Sequence, residues 1–224
     1  MNSGSGTGAM KRYKIGIISD IHARAAPLQQ ALDIFSREAV DDIYCAGDIA
    51  GYYEELPACI DLLQQAHCKT IIGNHDQDYL DKHNAEDTLE VRYLLSLAST
   101  ASFTLAHKKI YMVHAEPPTA SHGGIKLLDQ QGEVIEERLH NWTRQLQDIK
   151  QDILIVGHTH QVFALQLGDV FVINPGSTAF NHSCMILELP ELRVRTYVLE
   201  DTPIIKCWNF SMLHRSGSPY PSGD

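Results

Sequence analysis

Cysteine chemistry is the first thing missing. The five cysteines (Cys45, Cys59, Cys68, Cys184 and Cys207) are odd in number, scattered, and contain no Cys-x-x-Cys. That pattern argues against a disulfide framework or a thiolate zinc knuckle and fits a reducing cytoplasm. Basic charge is scarce too, with 18 Lys and Arg against 28 Asp and Glu and a formal net charge of -10. So acidic a chain gains nothing from a phosphate backbone or an anionic bilayer, and it has no basic, aromatic-studded tract for long single strands. No apolar run approaches the ~20 residues of a membrane span. Met1 to Ala9 has no apolar h-region of a secretory signal. Long nucleic acid and membrane are therefore not expected partners, and a cytoplasmic location is expected. No internal repeat or interior linker is visible. Residues 1–10 read as a polar tail, 11–208 as a single domain, and 209–224 as a loose tail rich in Pro and Gly.

What is present is an ordinary globular composition, 44 % hydrophobic and 21 % charged, with an unusual 12 histidines. Tyr13 to Ser19 reads as a buried first strand, and Pro27 opens a helix with Leu28, Ala31, Leu32 and Phe35 on one face. Ile43 to Ala46 is a second strand, Glu54 to Ala66 a helix, and Thr70 to Ile72 a third strand. Strand-helix-strand-helix-strand is the pattern of a parallel sheet covered by helices. Asp81 to Asp87 reads as a loop and Thr88 to Ala98 as a helix. A hairpin follows at 103–105 and 109–113, then a Pro/Gly-rich loop from Pro117 to Gly124. Glu133 to Ile149 is a charged amphipathic helix carrying Trp142, and Ile153 to Val156 is an apolar strand. Beyond it only short β segments are predicted, at 162–167, 170–173, 184–189 and 194–199, with a turn at Asn174-Pro175-Gly176-Ser177.

The strand exits carry the chemistry. Five apolar runs end in Asp20 and His22, in Asp48, in Asn74 and His75, in His114, and in His158 and His160. Gly73 is expected to turn the backbone sharply ahead of Asn74. Five such exits pointing to one edge of one sheet form a cluster where open α/β sheets place their ligands. The Asp-x-His and His-x-His spacings put two side chains on one side of an extended chain. Carboxylate, amide oxygen and imidazole without thiolate suit Mn²⁺, Fe or Zn²⁺. One metal needs about four to six ligands. A pair sharing one bridging carboxylate uses all seven of Asp20, His22, Asp48, Asn74, His114, His158 and His160, and metal pairs are recurrent machinery for phosphate-ester hydrolysis. Two divalent ions would also give an acidic protein a locally cationic pocket for an anionic substrate.

The ordered set Asp20-x-His22, Gly47-Asp48, Gly73-Asn74-His75-Asp76, His114 and Gly157-His158-Thr159-His160 resembles the motifs of the calcineurin-like metallophosphoesterases, over residues 13 to 199 or so. Compact size, Gly-Asp-Ile-Ala-Gly-Tyr and Asn174-Pro175-Gly176-Ser177 are similar to the small YfcE-type phosphodiesterases. The resemblance implies an α/β fold, a four-layer α-β-β-α sandwich of two mixed sheets flanked by helices. It implies two divalent cations, Mn²⁺ first among Mn²⁺, Fe, Zn²⁺ and Ni²⁺. One would take Asp20, His22 and His160, the other Asn74, His114 and His158, with Asp48 bridging. A hydroxide between them would attack phosphorus in line, and His75 would protonate the leaving alkoxide. The substrate would be a small or nucleotide-like phosphomonoester or phosphodiester, its selection expected in the 77–105 and 117–139 segments, and a homo-oligomer is compatible. A protein-interaction scaffold of the same fold is the alternative.

Departures from the family pattern are Ala23-Arg24 after the first His, Ala115-Glu116 after His114, and Gly51-Tyr52-Tyr53, which offers no Asp to orient His75. Arg24 is read as an exposed surface arginine, a phosphate contact being its other reading. Asp76 is left without a role.

Overall fold

A computed structural model describes residues 11–209 and 212; the predicted tails, 1–10 and all of 209–224 but Asn209 and Met212, lie outside them. The first sheet runs β10-β9-β1-β2-β3. Its strands are β1 (Tyr13–Ile18), β2 (Asp42–Cys45), β3 (Lys69–Thr70), β9 (Ser183–Leu189) and β10 (Arg193–Val198). β1, β2 and β3 are parallel, while β9 lies antiparallel to both β1 and β10. The second sheet runs β4-β5-β6-β8-β7. Here β4 (Thr100–Leu105) and β5 (Lys108–Val113) form the predicted hairpin, and β5, β6 (Ile153–Ile155) and β8 (Val170–Pro175) are parallel. β7 (Val162–Leu167) closes the edge against β8.

Strand alternation builds the layers. Ile15 and Ile17 face inward to meet Ile110, Met112, Ile153 and Ile155 of the second sheet in one apolar core. Ile18 faces the other way, onto α1 (Ala25–Arg37) and α2 (Leu56–Gln65), with Leu28, Phe35 and Leu63. Val113, Leu154 and Val156 face outward on the second sheet, against Ile125, Leu127, Leu146 and Trp142. Helix, sheet, sheet and helix are thus stacked as four layers. Among the described residues no helix is long and apolar enough to cross a membrane.

Several local expectations are corrected. The five strand exits do not share one sheet: β1, β2 and β3 belong to the first, β5 and β6 to the second, and the two edges converge. The third strand is shorter than Thr70 to Ile72, with Ile71 making only an isolated bridge to Ala98. Immediately after it lies a helix that no apolar periodicity announced, α3 (Asn74–Lys82), where only Asn74 and Asp76 are buried. The charged helix is α5 (Glu136–Gln145), shorter than predicted because Val134 is held in a bridge to Leu128. The predicted helix at Thr88 is α4 (Leu89–Leu95), with the Thr88 side chain accepting from Val91 N.

Candidate metal centre

Three of the five strand exits, those of β1, β2 and β6, deliver their side chains through a backbone that residues other than glycine seldom adopt. Asp20 (φ 53°), His22 (φ 51°), Asp48 (φ 55°), His158 (φ 61°) and His160 (φ 48°) are all left-handed. Such conformations cost of order 1–3 kcal/mol each and persist only where the surroundings impose them. Here the exits brace one another. His158 N donates to both carboxylate oxygens of Asp20, at 3.2 and 3.0 Å, tying the two sheets together. His75 N donates to Asp48 Oδ1 at 2.8 Å. Gly73 is extended (φ -109°, ψ -176°), so it is not the sharp turn expected. What requires glycine is proximity, because a Cβ there would stand 2.1 Å from Asp48 Oδ1 and 2.4 Å from Asp48 N.

All seven predicted ligands meet in this space. Asp20, His22 and His160 form one group whose ligand atoms lie within 4.8 Å of one another; Asp48, His114 and His158 form another. His22 Nε2 is 3.0 Å from His160 Nε2, which in turn is 3.2 Å from Asp20 Oδ1. Asn74 Oδ1 lies 2.8 Å from His158 Nδ1 and 3.1 Å from His114 Nε2. His75 reaches the centre as well, grouped with His22 and Asp48.

The donor chemistry fits a cation. His114 Nδ1 lies 2.7 Å from the Ala46 carbonyl, which fixes a proton on that nitrogen. The Nε2 lone pair of the neutral ring then faces Asp48 Oδ2 at 3.2 Å and Asn74 Oδ1 at 3.1 Å, two further acceptors. Protein partners alone would be better satisfied with the Asn74 amide turned over, its NH₂ donating to both rings. Carbonyl-inward Asn74 is the orientation a cation would favour.

Charge reinforces the point. Burial pulls the His114 pKa down, but the Asp48 carboxylate and the hydrogen bond to it push it up to about 10. A proton there occupies the place of a cation. Burial lowers His22 to about 3 and His158 to about 4, helped by the neighbouring His160 and His114 rings respectively, so both offer free lone pairs. Burial would raise Asp20 and Asp48, yet His160 holds Asp20, and His114 holds Asp48, below the usual carboxylate range. Tyr52 and Phe180 wall off His22, with ring centroids at 4.9 and 5.3 Å, and Phe180 stacks on Trp208 at 4.2 Å.

Several supporting residues escaped the sequence reading. Asp76 is fully buried; its Oδ1 accepts from Ile49 N and Ala50 N, at 2.8 and 2.7 Å, and its Oδ2 accepts from Gly73 N at 2.9 Å. It ties the Asp48 loop to the start of α3. Burial and the Asp48 charge push its pKa up to about 7. Asn174 Nδ2 donates to Gly157 O and Thr159 Oγ1, so the predicted turn braces the His158–His160 exit. Glu116, at a position of departure, accepts from Gly124 N at 3.1 Å. Arg24 is not an exposed surface residue: it pairs with Glu200 at 2.8 Å and donates to Ala179 O. Of the two segments expected to select substrate, 117–139 lines the cavity at the metal centre, whereas no described residue of 77–105 does.

Comparison with known proteins agrees with this construction. The chain is 26 % identical over 200 residues to an uncharacterised protein of Methanocaldococcus jannaschii, MJ0912, covering 75 % of this chain and 77 % of that one. Its fold is similar to a metallophosphoesterase from Sphaerobacter thermophilus (TM-score 0.63, 20 % identity, 92 % of this chain and 95 % of that one). It is also similar to Yfce, a phosphoesterase from E. coli (TM-score 0.51, 19 % identity, 84 % and 100 % of the two chains). Residues 13–190 match the model of the calcineurin-like phosphoesterase superfamily domain, the stretch that contains every one of the converging exits, and the chain belongs to that superfamily.

Proposed function

We propose that the protein is a dinuclear-metal phosphoesterase that hydrolyses a small phosphomonoester or phosphodiester, with His75 as the general acid. The observation that carries this reading is the convergence of seven N and O donors from both sheets around two adjoining groups, Asp20/His22/His160 and Asp48/His114/His158. Asn74 joins the second through its Oδ1, and Asp48 lies between them, within 4.8 Å of His22 as well as of His114. When bound, a pair of divalent cations, Mn²⁺ in our reading, supplies Lewis acidity toward the phosphoryl oxygens and lowers the pKa of water.

The chain does the rest. Asp20 and Asp48 stay ionised and are held rigid by the amides of His158 and His75. His75 sits in the first turn of α3 and lines the cavity beside Asp48, His158 and His160. Its ring packs edge-on to His22 at 4.9 Å and tilted to Tyr52 at 4.9 Å, so two aromatic neighbours orient it. A half-buried imidazole beside the phosphoryl site can donate a hydrogen bond to a phosphoryl oxygen and give its proton to the departing alkoxide. Protein freed of metal and reloaded with Mn²⁺ should hydrolyse members of a panel of phosphomonoesters, phosphodiesters, dinucleoside polyphosphates and phosphoproteins. Hydrolysis of none would leave the scaffold reading in its place.

A further inference from the structure

The metal centre opens into a cavity of about 490 Å³, within the range of small-molecule sites. It is lined by Asp48, His75, His158 and His160 of the centre and also by two cations, Lys126 and Arg138, with the apolar Leu128 and Ile135. In a chain of net charge -10, this cavity sets two cations against two carboxylates, Asp48 at the centre and Asp129. The Asp129 Oδ1 accepts from the amides of Gln131 and Glu133, both at 2.9 Å. Among the described residues no carboxylate pairs with Lys126 or Arg138, and Arg138 spends only Nη1, on Leu128 O at 3.2 Å.

The segment bearing Lys126 is fixed from both sides by the residues that alternate with the histidine ligands. Thr159 Oγ1 donates to Ile125 O at 3.1 Å. Gln161 Oε1 accepts from Leu127 N at 2.7 Å and Leu128 N at 3.0 Å, and its Nε2 donates to Leu128 O at 3.0 Å. Ile125 and Leu127 are fully buried, which leaves Lys126 between them directed outward. Gly124 (φ +89°) permits the close approach, since a Cβ there would stand 2.7 Å from Thr159 Cγ2. Along His158-Thr159-His160-Gln161, then, one pair faces the metals and the other holds the cationic wall at a set distance from them.

We propose that this wall binds a second phosphate, so that the preferred substrate is an organic phosphoester carrying two phosphate groups joined by an apolar spacer. The proposal rests on the phosphoesterase reading above. One phosphate lies at the metal centre; the other takes the ammonium of Lys126 and the free guanidinium face of Arg138, whose planar fork suits phosphate oxygens. Leu128 and Ile135 face the spacer.

The test uses Mn²⁺-loaded, desalted full-length protein and two inert probes, butane-1,4-bisphosphonate and butylphosphonate, with affinities from calorimetry. Wild type should bind the bisphosphonate about tenfold more tightly, the scale of one charge-assisted contact. Lys126→Ala and Arg138→Ala should each lower that ratio, the double variant should bring it near one, and exposed Lys150→Ala should keep it. A wild-type ratio near one, or a double variant that retains the preference, overturns the proposal. Because the probes are not hydrolysed, the result stands apart from turnover. Failure to hydrolyse butane-1,4-diol bisphosphate, its monophosphate and bis(p-nitrophenyl) phosphate would count against the hydrolase reading alone.

Discussion

Gly73→Ala adds one methyl group at the place where the exits of β2 and β3 touch. The new Cβ would fall 2.1 Å from Asp48 Oδ1, and real contacts of this kind do not go below 3.0 Å, so the carboxylate must retreat by about 0.9 Å. Asp48 N, at 2.4 Å, must move by about 0.6 Å, and it is backbone, fixed in a loop whose Asp48 O accepts from His22 N at 3.0 Å. Neither group is the loose end of a flexible chain. The displacement breaks the 2.8 Å bond from His75 N to Asp48 Oδ1 and swings the carboxylate away from His114. Overpacking of this kind costs about 1–3 kcal/mol, which for a chain of this length lowers Tm by roughly 2–12 °C. Disturbing the support of a ligand carboxylate weakens metal binding by about 10–100-fold. Thermal melts and Mn²⁺ titration against a competing chelator read the two effects separately. A Gly73→Ala protein with wild-type Tm and wild-type Mn²⁺ affinity would refute the argument that close approach, not turn geometry, requires this glycine.

Three other outcomes are expected. Asp48→Asn removes the carboxylate that adjoins both groups and should cripple both metal sites; full occupancy by elemental analysis with normal turnover would remove Asp48 from the bridging role. His75→Ala should keep its metals and lose about 10²–10⁴ in kcat on alkyl esters. It should lose far less on nitrophenyl esters, whose leaving group needs no proton; equal losses contradict the acid role, and lost metal would make His75 a ligand. Metal binding should release a proton, since His114 is held charged up to about pH 10 in the metal-free site while a ligand imidazole must be neutral. Affinity should therefore rise with pH through the neutral range, by up to about tenfold per unit. Calorimetry in buffers of different ionisation heat measures the protons released, and a value of zero at pH 7.5 contradicts the charged state of His114.

The strand exits were legible because each short apolar run ends abruptly in Asp, Asn or His, whereas buried runs more usually exit into Gly, Ser, Lys or other turn residues, and five such exits in one chain form a set. Their division between two sheets was not, since parallel pairing of β5 with β6 reads the same along the chain as pairing with β1. Helix α3 was hidden by its composition: NHDQDYLDK presents no apolar face, and it is anchored through Asp76 rather than through a greasy stripe. Asp76 has no role legible in the sequence because it adjoins His75, the side chain it would have to orient. In a helix two residues are about 200° apart, so the Asp76 side chain turns away from that of Asn74 and into the Asp48 loop. Arg24 was misread for a different reason, its partner Glu200 being 176 residues away. Gln161 carried no visible signal, since its importance lies in three backbone contacts to a loop more than 30 residues earlier.

The most direct test is a titration of Mn²⁺ into metal-free protein with bis(p-nitrophenyl) phosphate and p-nitrophenyl phosphate as substrates. Turnover of at least one should rise to a plateau at two equivalents of metal and vanish on chelation. Two equivalents bound with no turnover of any phosphoester, or full turnover in the absence of metal, would contradict the account.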